Sequence, residues 1–426
     1  MRRQNWEVRI QKSPGHTDKQ TRETRRQGKK FPIILASVAG LLASMWLLST
    51  NGFVSPAYSQ QRQNLPQEKT VGSIESVVSF YGPMPTGVTV SQGDRIFVNF
   101  PRWGDKVDYT VAEVKNGKTI AYPNAQINRP NTSNQPESLI SVQSVVVDPQ
   151  DRLWILDTGS IEFAPTTYGG PKLIGVDLKT NRIFKKILFP QEVALPTTYL
   201  NDIRFDLRRG KAGLAFITDS SMNGANGIIV VDLDSGKSWR KLNDHPSTKA
   251  EQNFLPLVEG QPVMNRPPNQ LPSPIKIGAD GIAISADGER LFYCPLAGRR
   301  LYSVSVDALA NEQLSDEQVA KTVVDEGDKG GGSDGLESDA QNRVYLTNYE
   351  HNAILQRSPD GMYKTIVHDP RVLWPDTMSV AGDGYLYFTA NQLHRQPQYH
   401  QGKDLREKPY SLFRTRIDAQ PVRLRK

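Results

Sequence analysis

Past residue 75, short apolar runs alternate with clusters of Gly, Asp, Asn and Pro, and one unit of that pattern recurs six times. The unit is a brief apolar strand start, a polar turn, and an apolar-aromatic run. Its copies are VTVSQGDRIFVNF from Val88, VVVDPQDRLWILD from Val145, IRFDLRRGKAGLAFITD from Ile203, IAISADGERLFYCP from Ile282, LESDAQNRVYLTN from Leu336 and MSVAGDGYLYFTAN from Met378. Alternating runs on both sides of a tight reversal predict a β-hairpin. The turn pairs Gly93-Asp94, Asp148-Pro149, Asp287-Gly288 and Asp383-Gly384 favour that reversal. The aligned aromatics Phe97, Trp154, Phe216, Phe292, Tyr345 and Tyr387 lie 42 to 76 residues apart. Propeller blades repeat every ~40–50 residues before loop insertions.

Further strand–turn–strand segments at 172–189 and 226–242 supply the outer strands of such blades. A β-sandwich or two separate domains would leave six copies of one hairpin unexplained. The expected fold is all-β: a six-bladed β-propeller with a central channel over residues 76–418, preceded by an N-terminal signal segment. Only 306–322 reads as an amphipathic helix. Gly330, Gly331 and Gly332 precede a strand rather than a helix, so they read as a flexible entry to the fifth blade and not as a phosphate cradle.

Charge changes this picture at one end only. The net charge of +7 is carried by residues 1–30, with ten bases against three acids; the remainder holds 42 of each. The folded part is neutral, so nucleic acid is not an expected partner. A basic cluster (Arg414, Arg416, Arg423, Arg425, Lys426) reads as solvated, with 419–426 a basic tail. The apolar run 31–48 follows the basic stretch, and Ala57-Tyr58-Ser59 offers small residues for signal peptidase before Gln60. Residues 1–59 are therefore expected to be a presequence and 60–75 a linker, giving a secreted or periplasmic protein. The alternative is a retained anchor, since roughly 20 apolar residues span a bilayer; only then does a membrane become a partner. Thr24-Arg25-Arg26 falls short of a twin-arginine signal, because Gly28 and Lys29 stand where apolar residues are wanted. The single cysteine, Cys294, cannot form an internal disulfide and is expected as buried packing.

Candidate chemistry comes from one column. Two residues before each inner strand start stand Thr86, Gln143, Asn201, Asp280, Asp334 and Asp376. The next column holds Ser144, Asp202 and Thr377, with Gly87, Gly281 and Gly335 elsewhere. In a propeller these positions crowd one channel mouth. Such residues also make turns, but converging carboxylates repel unless a cation, a proton or a ligand relieves them. Three readings stay open. A divalent cation such as Ca²⁺ suits oxygen donors from Asn201, Asp280, Asp334 and Asp376. A cationic organic ligand such as an amine suits acids beside aromatics. One carboxylate of shifted pKa suits general acid–base catalysis. The histidines show no metal-ligand spacing; His351 and His394 follow inner hairpins and are expected on surface loops.

At these residues the chain resembles the yellow / major royal jelly protein family, in its bacterial branch. The carrying motifs are LWILDTG (153–159), PKLIGVDLKTNRI (171–183), YLNDIRFD (199–206), AFITDSS (215–221) and GIIVVDLDSGKSWR (227–240), followed by 278–304, 333–354 and LWPDTMSVAGDGYLYFTANQLHR (373–395). The resemblance covers roughly 75–415. It implies a secreted propeller with a ligand-binding channel. Insect relatives are linked to dopachrome conversion and pigmentation, others bind biogenic amines, and the royal jelly branch is nutritive. Secreted animal members often carry disulfides, which this chain cannot. The architecture is also similar to gluconolactonase / regucalcin propellers, whose metal-binding Asn-Asp pair Asn201-Asp202 resembles; Asp376 matches a further ligand, while Thr86 replaces the expected glutamate.

The expected function is binding of a small organic ligand at Thr86, Gln143, Asn201, Asp202, Asp280, Asp334 and Asp376, by a monomer. The enzymatic alternative is a dopachrome-tautomerase-like isomerase or a metal-dependent lactonase. There Asp280, Asp334 or Asp376 holds a metal or moves a proton, and Asn201 orients the substrate. A third reading is an interaction propeller with an unused channel.

Overall fold

The computed structural model describes residues 69–426. The signal segment and most of the linker lie outside the described residues. The six predicted hairpins are the two inner strands of six four-stranded antiparallel sheets. Inner strands are Val88–Val90, Val142–Val147, Leu200–Asp206, Ala279–Ile284, Leu336–Ser338 and Pro375–Val380. Blades one to five each run outward in chain order. Blade six takes its outermost strand, Glu75–Phe80, from the start of the fold, pairing Glu75 with Arg414 and Phe80 with Tyr410. Antiparallel pairing of the first described strand with the last closes the ring. Val71 also bridges to His368, so the fold reaches back into the segment expected to be linker.

The tight turns after the inner strands share a device. Asp148 accepts the Arg152 and Trp154 side-chain donors at 2.7 and 2.8 Å. Asp339 repeats this with Arg343 at 2.5 Å and the Tyr345 hydroxyl at 2.8 Å. In each copy the guanidinium also lies over the aromatic ring, 5.7 Å from Trp154 and 5.9 Å from Tyr345. The turn needs a left-handed residue three positions after the Asp, and Asp151 and Asn342 supply it at φ 61°. The aligned aromatics are thus wedges: Phe97, Trp154, Phe216 and Tyr345 are at most 1% exposed.

Inner strands of neighbouring blades do not pair, so side chains tie them. Thr218 donates to the Asp280 carbonyl at 2.6 Å, Ser338 to Ile284 at 2.6 Å and Thr389 to Thr86 at 2.7 Å. Cys294 is buried, as expected. The predicted helix is two short ones, Val306–Ala310 and Asp316–Ala320. Asn311 stops the first, and a capping box between Ser315 and Gln318 starts the second.

Residues 419–426 are not a solvated tail. Gln420 accepts from Ala340 N at 2.8 Å, Pro421 bridges to Asp339, and Leu207 N donates to Leu424 O at 2.8 Å. Leu424 is 3% exposed and packs with Ile284 and Leu309. The charged residues mislead because the apolar ones between them do the docking. The strap crosses the lower mouth of the channel, where Pro421, Val422 and Arg423 line a small pocket.

Candidate ligand-binding site

The channel is divided by one side chain. Arg204, 5% exposed, extends from blade three and contacts both Asp202 oxygens at 3.0 Å, the Leu336 carbonyl at 2.6 Å and Glu337 at 3.5 Å. Above this plug a cavity of about 330 Å³ opens at the upper mouth, lined by Gln143, Asn201, Asp280, Asp334 and Asp376. Five of the seven predicted site residues therefore converge. The other two do not line it: Thr86 is buried, accepting Asn99 Nδ2 at 2.8 Å, and Asp202 belongs to the plug.

The acids meet because the blades approach closely there. A Cβ on Gly281 would lie 2.4 Å from the Asp334 carbonyl oxygen, and one on Gly335 2.3 Å from that of Asp376. Only glycine fits both places, which explains the two Asp-Gly pairs and brings the three aspartates to one side of the mouth. Among the described residues no salt bridge reaches any of the three, whereas Arg204 is committed below. Asp334 Oδ2 accepts the Trp374 indole N–H at 2.7 Å, and Asp376 Oδ2 accepts Asn391 Nδ2 at 2.6 Å. Among the described residues Asp280 accepts no such donor, and it hydrogen-bonds Asp334. Burial, then the charges of Asp334 and Asp376, push Asp280 well above the usual carboxylate range. Burial raises Asp376 similarly, with the charge of Asp334 adding to it. Asp334 is pushed up to about 6 by burial, against the lowering effect of the Trp374 and Asp280 hydrogen bonds.

The opposite wall is aromatic. Trp103 stacks on Phe163 at 5.2 Å, and Phe163 meets Tyr199 at 5.0 Å. Tyr199 OH accepts Trp103 Nε1 at 2.7 Å and donates to Gln143 at 3.3 Å. Asn201, 6% exposed, lines the cavity. The cavity thus has an acidic side from blades four to six and an aromatic, amide-bearing side from blades one to three.

Among the described residues, no three His, Cys, Asp or Glu side chains form a group able to hold a metal ion. Asp334 and Asp376 each spend an oxygen on an N–H donor, and Asp280 turns to Asp334. That arrangement fits a shared proton and does not fit a resident Ca²⁺ on Asn201, Asp280, Asp334 and Asp376.

Several residues of the site were not legible as such. Tyr199 and Trp374 stood in the quoted motifs YLND and LWPD but outside the aligned hairpins. Asn391 ends an inner hairpin as Asn99 and Asn348 do, a recurrence that could have flagged it. His394 is not on a surface loop: it is 5% exposed and stacks on Trp374 at 5.8 Å. His351, in contrast, is exposed.

Comparison with known proteins agrees with this architecture. Protein yellow of Drosophila erecta is 27% identical over 252 residues, covering 55% of this chain and 43% of that protein. Major royal jelly protein 7 of Apis mellifera is 27% identical over 186 residues, covering 42% of this chain and 38% of that protein. The chain therefore spans less than half the length of these relatives. Among solved structures, a luciferin-regenerating enzyme superimposes with a TM-score of 0.50 at 11% identity, covering 83% of this chain and all of that one, which shows the shared fold. A calcium-binding regucalcin from Agrobacterium tumefaciens gives 0.49 at 14% identity, over 81% of this chain and 95% of that one. The sequence profile described as "Major royal jelly protein" matches residues 140–420, and the chain belongs to that family.

Proposed function

We propose that this propeller is an exported, monomeric binding protein that takes a small organic cation with an aromatic body into the upper mouth, without turnover. One observation carries the reading: three buried carboxylates, with no basic partner among the described residues, face an aromatic wall across a cavity of about 330 Å³. A cation relieves the mutual repulsion of the acids, and the rings cover the rest of the ligand. Asn201 and Gln143 then read a polar substituent. The plug at Arg204 makes the cavity single-ended, which suits capture. Export rests on the leader at 1–59; among the described residues no helix is long and apolar enough to cross a membrane.

The test is calorimetry with tyramine, 4-ethylphenol and Ca²⁺ as separate titrants. Tyramine is expected to bind, and 4-ethylphenol, which lacks the ammonium, to bind about tenfold more weakly or worse. Equal binding of the two would remove the role of the acids, and a calcium heat alone would return the site to a metal.

A second reading, acid–base isomerisation, is favoured by the Asp280–Asp334 hydrogen bond and by Asp334 lying near 6, where a carboxyl group can both give and take a proton near neutral pH. Turnover of an enolisable aromatic substrate, lost in Asp334→Asn, would support it over plain binding.

A further inference from the structure

Trp374 combines features that packing alone does not require. It is fully buried, at 0% exposure. Its backbone is left-handed, φ 53°, a conformation that a bulky side chain adopts at a cost in strain. It directly precedes Pro375, so the strain sits where the chain enters the inner strand carrying Asp376. Observed strain of this kind gathers at functional sites, where the surroundings over-determine it.

The indole lies in a stacked column. Tyr349 is parallel to it on one side at 4.1 Å and 6°. His394 also stacks on it, at 5.8 Å and 16°. The column is fixed at both ends: Tyr349 OH donates to the Leu296 carbonyl at 2.6 Å, and His394 Nε2 meets Glu259 at 2.7 Å. Glu259 also binds Arg395 at 2.5 Å, so it clasps the blade-six insertion that walls the cavity through Leu393, Gln396 and Tyr399. Held this way, the indole N–H donates to Asp334 Oδ2, 2.7 Å away.

We propose that Trp374 is the positioning residue of the acidic side: its indole N–H holds Asp334 as the anion that faces the ligand, and the stacked column ties that carboxylate to the Glu259 clasp. The proposal rests on the cation-binding reading for what the anion does, but not for its existence. Asp334 faces Asp280 and Asp202, and Asp376 is raised by its charge. The buried groups around it, Tyr349, Tyr399 and Cys294, are raised by burial and stay neutral; His394 is lowered by burial. The indole, with Asp280 beside it, is therefore a donor that favours the charged form, and it is the larger of the two effects.

The test is Trp374→Phe, which keeps a ring in the stack and deletes the N–H. Ligand-free thermal midpoints of the wild type and the variant are compared at pH 5 and pH 8. A purely structural loss lowers both midpoints equally, and that result overturns the proposal. A positioning role lowers the pH 8 midpoint more, because Asp334 then ionises without its donor. Tyramine affinity is expected to fall about tenfold or more in the variant. A second measurement needs no variant: in ¹⁵N-tryptophan-labelled wild type, one indole N–H resonance is expected to titrate between pH 5 and pH 8. If none moves, the proposal fails even should Trp374→Phe not fold. If one moves but tyramine neither shifts it nor gives heat, the cation-binding reading falls and the positioning role stands.

Discussion

The two ends of the channel are built from the same six inner strands, yet they treat their acids in opposite ways. At the lower turns Asp148, Asp206 and Asp339 each hold an arginine within 3.0 Å. In the plug, Arg204 answers Asp202 and Glu337. At the upper mouth Asp280, Asp334 and Asp376 have no basic partner among the described residues. The lower end is neutralised, strapped by 419–426 and serves the fold. The upper end clusters three buried acids beside a cavity, a cost that stability alone does not explain. The difference separates acids that hold blades together from acids kept ready for something absent.

The largest expected effect breaks the lower arrangement. Arg204→Leu leaves Asp202 buried without its cation, and breaking a buried pair from one side costs roughly 3–5 kcal/mol. Urea unfolding at pH 7 should show a drop of that size. A drop below about 1 kcal/mol would mean that Arg204 lines the channel without supporting it.

The strap comes next. Leu424 is 3% exposed, and truncating a buried leucine to alanine costs about 2 kcal/mol or more. Leu424→Ala is expected to lower the thermal midpoint and leave tyramine affinity unchanged, because the plug isolates the lower mouth from the cavity. A changed affinity would show that the two ends communicate.

This division also sets what could be read from the chain. Six hairpins, their order and the acidic column all follow from local pattern, because a blade's inner strands are adjacent in sequence. Ring closure by Glu75–Phe80 does not, since it pairs residues more than 300 positions apart. The column located five cavity residues but also took in Thr86, and the next column added Asp202, because alternate side chains on one strand face different levels of the channel and sequence offset alone does not rank them. Trp374 and His394 escaped for a related reason. Their roles come from an insertion folding back over the mouth, a contact made by tertiary packing and not by any repeat. The strap's docking is hidden in the sequence because the charges at Arg423, Arg425 and Lys426 surround the one leucine, Leu424, that packs into the core.

The smallest and sharpest prediction concerns Asp280. Its folded pKa lies well above the unfolded value, so the native state binds more protons than the unfolded chain across that interval. Stability therefore falls as pH rises from the unfolded value, near 4, towards the folded one. Asp280→Asn supplies permanently what the proton supplies only at low pH: an N–H that can donate to Asp334 without adding charge. The variant should be more stable than wild type at pH 8, by about 1 kcal/mol, with the gain shrinking towards pH 5. No comparable gain is available at the lower end, where Asp148→Asn would strand the Arg152 guanidinium and Trp154 N–H and lose stability. Parallel denaturation series at pH 5 and pH 8 decide the matter. A loss of stability in Asp280→Asn at pH 8 would mean that the upper acids are structural after all, and the contrast between the two mouths would collapse.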